Sequence, residues 1–111
     1  MSKKTYNKLV RDKIPEIIAD NGSTSKIRIL NQQEYLEALL EKMVEEAVEV
    51  KEAGSNRESL IKELGDVKEV MLAIMKIKDI QSDEVDLIRS NRKVERGAFE
   101  KRIFLEHTED K

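Results

Sequence analysis

The chain has no cysteine and no tryptophan, a single proline, a single histidine and four glycines among 111 residues. Without cysteine there is neither a disulfide framework nor a thiolate metal site, which fits a reducing cytoplasm. One histidine, His107 near the polar tail, cannot supply the paired Glu-x-x-His of a di-iron bundle, and it reads as a surface group. Two tyrosines and two phenylalanines offer no aromatic sandwich for a nucleobase and weigh against a single-strand nucleic-acid binder. No apolar run approaches the roughly 20 residues that span a bilayer, and the polar start lacks a signal-peptide core. An excess of one charge is missing too: a net charge of −2 argues against a general nucleic-acid binder. The expectation is a soluble cytoplasmic protein with neither a membrane nor a nucleic-acid polymer as partner.

What the chain does have is 39% hydrophobic and 40% charged residues. That mixture suits thin amphipathic helices, and 111 residues suit one domain, residues 1–111, with a modest core. Such small bundles often complete their core by oligomerising, so a homo-oligomer is expected. Met1 to Asn7 reads as a loose lead-in. A short helix follows near Lys13 to Asp20, with Asp12 as N-cap, Pro15 in the first turn and Asn21-Gly22 as the stop. Residues 26–30 alternate and predict a short strand. A long helix spans about Asn31 to Ala53, and a second runs from the Leu60 region to near Lys78. Gly54-Ser55-Asn56 folds the two into an antiparallel hairpin. A last helix is capped by Ser82 and stops at Gly97. Residues 102–106 alternate weakly and could pair with residues 26–30 as a minor two-stranded ribbon. The fold class expected is all-α, a small bundle built on the helix hairpin.

The chemistry lies on that hairpin. The second rod presents Leu60, Leu64, Val67, Val70, Met71, Ile74 and Ile77 at helical spacing, and Glu63 falls inside this stripe with Asp66 at its edge. The first rod presents Leu36, Leu39, Leu40, Met43, Ala47 and Val50, with Glu46 on the shoulder, Glu49 one turn along and Glu45 just outside. Residues three apart share a helix face, so Glu46-x-x-Glu49 and Glu63-x-x-Asp66 each place two acids together. Four carboxylates brought across one seam are tolerable around a hard divalent cation, and an oxygen-only set favours Mg²⁺ or Mn²⁺ over zinc. The rival reading is a pair of solvated faces, with Lys42 and Lys62 as ordinary salt-bridge partners.

Basic residues answer the acids. Arg89, Arg92, Lys93 and Arg96 form one stripe on the last helix, with Asn91 beside it in sequence. Guanidinium forks and ammonium groups suit phosphate oxygens, although Glu95 or Asp86 could simply pair with them. Lys8, Arg11 and Lys13 make a second basic group ahead of the first helix, which can clamp a polyphosphate tail; composition fits a frayed, merely soluble terminus equally well.

The segment Lys42 to Val50, followed by Lys62-Glu63-Leu64-Gly65-Asp66-Val67, resembles the MazG-like nucleotide pyrophosphohydrolases. These belong to an all-α superfamily that includes phosphoribosyl-ATP pyrophosphohydrolase and the dimeric dUTPases. Tyr6 to Pro15 and Lys93 to Phe99 resemble a small single-domain branch of it, with Ala98 standing where a second glycine is expected. The resemblance implies hydrolysis of a nucleoside triphosphate to monophosphate and pyrophosphate, and assembly into dimers or tetramers. It implies Glu46, Glu49, Glu63 and Asp66 as Mg²⁺ ligands. Glu45 would be an outer partner or the base taking the water's proton, and Asn91, Lys93 and Arg96 would be phosphate contacts. Phosphoribosyl-ATP is the less expected substrate, the MazG-like branch being the stronger resemblance. The alternative outside enzymology is a helical binding or oligomerisation module whose acids are solvated.

Overall fold

The computed structural model describes residues 2–110; Met1, part of the expected lead-in, lies outside them. It contains four helices and no strand among the described residues: α1 (Ile14–Asp20), α2 (Gln32–Ala53), α3 (Arg57–Ile77) and α4 (Ser82–Arg96). The chain divides into two compact units, one running to Asp79 and the other starting at Ile80.

In the first unit, α2 and α3 are the extensively packed pair. Both long rods begin at an asparagine whose side chain accepts from the backbone N–H three residues on, Asn31 from Glu34 and Asn56 from Ser59, each at 2.9 Å. Glu34 returns the contact by accepting from the Asn31 N–H at 3.4 Å, completing a capping box. Gly54 ends α2 at φ 59° and ψ −125°, a backbone state that strongly favours a residue without Cβ, and this fixes the reversal into α3.

Three features depart from expectation. The ribbon is absent: residues 26–30 and 102–106 form no ladder, and Ile29, Ile103 and Phe104 are largely exposed. Two strands alone are marginal in water, and five weakly alternating residues supply no face to pack. The caps also shift. Lys13, not Asp12, precedes α1 and makes no side-chain cap, while Gln81 precedes α4 and donates its backbone N–H to Glu84 at 2.7 Å, leaving Ser82 inside the helix.

The buried faces are rotated as well. Leu40, Ala47, Leu64 and Met71, expected in the seam, are exposed. The residues withdrawn from solvent include Leu36, Leu39, Met43, Glu46 and Val50 on α2, with Leu60, Glu63, Val67, Val70, Ile74, Met75 and Ile77 on α3. At 100° per residue a modest rotation takes Leu40 and Ala47 out of the seam and brings Glu46 in, while Met43 stays. The seam is thus apolar at its far end and acidic in its middle. The second unit consists of α4 and the residues around it, with no buried side chain on the helix.

Candidate metal centre

Antiparallel rods of equal rise keep a three-residue spacing in register. Glu46 and Glu49 lie about 4.5 Å apart along α2, as do Glu63 and Asp66 along α3. The hairpin superposes these two steps, and one carboxylate oxygen from each of the four residues lies within 4.8 Å of all the others. The deepest acid is Glu46, 6% exposed, and not Glu63 as the apolar stripe suggested. Glu63 is nearly as withdrawn, its side chain 13% exposed.

Glu46 Oε2 and Glu63 Oε2 are buried with no hydrogen-bond partner. A buried polar atom left unmatched costs roughly 1–3 kcal/mol, and more when charged. The donors present do not reach them. Lys42 Nζ approaches the other oxygen of Glu46 at 3.4 Å, and Lys62 stands 4.0 Å from Glu63 Oε1. Burial, and then the Glu49 charge, raise the Glu46 pKa above the ordinary carboxylate value. The Glu63 carboxylate within hydrogen-bonding reach raises that of Glu49, with burial adding to it. Four oxygen donors, two of them buried and unmatched, fit a hard divalent cation held by Glu46, Glu49, Glu63 and Asp66.

Glu45 stands apart in its electrostatics. Lys8 Nζ donates to its Oε1 at 2.9 Å and Lys42 lies 3.5 Å away. The Lys8 hydrogen bond holds the Glu45 pKa below the ordinary range, and the same bond raises that of Lys8. Arg11 Nη2 donates to Asp66 Oδ1 at 2.8 Å. Of the group Lys8, Arg11 and Lys13, the first two therefore reach the acids of the hairpin, across 37 and 55 positions of sequence. Helical periodicity carries no signal for either contact. Lys13 is exposed at the start of α1.

Asn91, Lys93 and Arg96 all lie exposed on α4, in the second unit, together with Arg89 and Arg92. Asp86 pairs with Arg89 at 3.8 Å, as one rival reading of this stripe held. His107 is a surface group, 3.4 Å from Glu109.

The sequence profile of the phosphoribosyl-ATP pyrophosphohydrolase family matches residues 4–90, which takes in the lead-in, the hairpin and the first turns of α4. An uncharacterized protein of Mycolicibacterium smegmatis is 44% identical over 52 residues, covering 47% of this chain and 53% of that protein. The chain thus spans about half the length of this curated relative. No solved structure matches it significantly.

Proposed function

Since this chain belongs to the phosphoribosyl-ATP pyrophosphohydrolase family, within the all-α NTP pyrophosphatase superfamily that also holds the MazG-like enzymes, we propose that it is a Mg²⁺-dependent nucleotide pyrophosphohydrolase. The observation that carries this reading is the pair of buried, unmatched oxygens, Glu46 Oε2 and Glu63 Oε2, inside a four-acid cluster. A solvated face, or a helix face used only for pairing, would leave such oxygens to water. In this reading residues 1–111 act as one cytoplasmic catalytic domain on a (d)NTP or related nucleotide, giving the monophosphate and pyrophosphate.

When bound, Mg²⁺ or Mn²⁺ neutralises phosphate charge and lowers the pKa of a coordinated water. The protein's share is placement. Glu46, Glu49, Glu63 and Asp66 would hold the ion, and the paired rods would keep these carboxylates in place while water meets the α-phosphorus roughly in line. As the new P–O bond forms, the bond to the bridging oxygen breaks and its electron pair leaves with pyrophosphate. Glu45 accepts the water's proton. As a carboxylate it is ionised at neutral pH and can accept a hydrogen bond before it accepts the proton, and the Lys8 hydrogen bond lowers its pKa further. Lys8, Arg11 and Lys13 supply phosphate contacts in the first unit, and Asn91, Lys93 and Arg96 are proposed for phosphate on α4 of the second.

The match to the phosphoribosyl-ATP pyrophosphohydrolase profile supports phosphoribosyl-ATP, the less expected of the candidate substrates, alongside the nucleoside triphosphates. A pyrophosphate-release screen over nucleoside triphosphates, deoxynucleoside triphosphates and phosphoribosyl-ATP, with Mg²⁺ or Mn²⁺, decides among them. Glu49→Gln is the control. Release by the wild type that this variant lacks supports the enzyme; no release from any nucleotide, and no heat on Mn²⁺ titration, would leave the helical binding module.

We also propose a dimer or tetramer. Leu40, Val44 and Val48 stand exposed at four-residue spacing on α2, and Ile61, Leu64 and Leu72 are exposed on α3. A second copy of the hairpin would cover such faces.

A further inference from the structure

Five carboxylates meet in the hairpin's middle, Glu45, Glu46, Glu49, Glu63 and Asp66. Four cations stand against them, Lys8, Arg11, Lys42 and Lys62, leaving a formal charge of −1 when all are ionised. The cations differ in how they are held. Lys42 grows from α2 itself and its side chain is 17% exposed, so it is a fixed part of the seam. Lys8 and Arg11 come from a segment with neither helix nor strand, and their side chains are 42% and 58% exposed. Both are more exposed than the acids they touch, so their removal uncovers little apolar surface. Asp66 is spoken for twice: Arg11 occupies its Oδ1 at 2.8 Å, and the same carboxylate belongs to the four-acid set. A divalent ion on that carboxylate would face the guanidinium across a few Å, and like charges so placed repel.

We propose that Lys8 and Arg11 are exchangeable counter-cations of the acidic cluster. They neutralise Glu45 and Asp66 in the resting protein and transfer to the phosphates of an incoming metal–nucleotide complex. Divalent ion and polyphosphate then bind as one coupled event. The ion alone must expel Arg11 with no anion to receive it. The complex brings both the ion and the receiving phosphate oxygens, for which a guanidinium fork is well suited. Coupling of this kind is reciprocal, so polyphosphate tightens the ion's binding as much as the ion tightens that of polyphosphate. The inference rests on the acidic cluster being a metal site, as proposed above.

The signature is a reversal of sign. Calorimetric titration of the full chain with Mn²⁺ alone, and with preformed Mn²⁺–tripolyphosphate, needs no turnover and no knowledge of the base. Arg11→Ala should bind Mn²⁺ alone about 1.5- to 5-fold more tightly than wild type, the span of a partly exposed ion pair. It should bind the tripolyphosphate complex more weakly by a similar factor. Lys8→Ala should repeat the pattern through Glu45. Arg28→Ala, which breaks the exposed 3.2 Å pair with Glu34 in the same unit, should move neither. If Arg11→Ala leaves Mn²⁺ affinity unchanged or weakens both ligands, Arg11 is a permanent partner of Asp66 and the exchange is wrong, while the metal site stands. If wild type takes up no Mn²⁺ in either form, the metal reading fails and the exchange fails with it.

Discussion

Glu46 and Glu63 are each half satisfied. Each has an ammonium near one oxygen and no hydrogen-bond donor on the other, which is buried. For a group whose role is only to support the helix this is a poor arrangement, and the cheapest repair is removal of its charge. Glu63→Gln keeps the shape and supplies an N–H toward Glu49. It should therefore cut Mg²⁺-dependent pyrophosphate release by more than about 100-fold and leave the metal-free melting temperature equal or higher. A large fall in both would mark Glu63 as structural. The same cluster sets a pH dependence. Glu46 and Glu49 have folded pKa values raised above the ordinary 4.5. The stability they contribute by holding protons is complete below about pH 4.5 and is lost as pH rises through their folded values. Glu45, lowered by Lys8, runs oppositely: its contribution is present above 4.5 and lost as pH falls through its folded pKa. Thermal melts in chelator should thus decline from pH 4.5 towards neutrality, and saturating Mg²⁺ should remove the decline. A melting temperature flat over that range, with and without Mg²⁺, would contradict the buried-acid account.

At the scale of the helix, the caps do what the acids do not: they fix where each rod begins. Asn56→Ala and Asn31→Ala remove the side-chain acceptors for the Ser59 and Glu34 N–H groups and should each cost about 1 kcal/mol. Leu39, 3% exposed in the seam, should cost about 2–5 kcal/mol on truncation to alanine. Urea midpoints with an unchanged slope would confirm both, and Leu39→Ala below the cap variants in cost would mean the seam is loosely packed. The rods, the turn at Gly54 and the convergence of two acid pairs could be read from the sequence, because each rests on local periodicity or on one residue's backbone freedom. Rotation of the rods could not. Leu40 and Leu64 look identical to Leu39 and Leu60 until a partner surface selects among them, so the stripes came out too wide and Glu46 was placed on a shoulder. Lys8 on Glu45 and Arg11 on Asp66 escaped for another reason. They join loop to helix across long stretches of chain, where no periodic pattern exists to betray the contact.

For the molecule as a whole, the imbalance is between apolar residues and what covers them. Leu39, Val70 and Met75 are the buried hydrophobic side chains of the described residues, and none is below 2% exposed. Meanwhile Val44 is 64% exposed at the centre of the outward row on α2. A lone 12.8 kDa chain with so much apolar surface in water would be marginal. Association should therefore hold at micromolar concentration, and light scattering after size exclusion should give two or four times 12.8 kDa. Val44→Lys tests the face directly. In an isolated hairpin an exposed valine can change to lysine within about 0.5 kcal/mol, so the melting temperature should hardly move. In an assembly the same change buries an unpaired ammonium at the contact, and the species should fall to one chain with a lower melting temperature that no longer depends on concentration. A wild type that already runs as a single chain would show that these rows are tolerated in water and need no second copy.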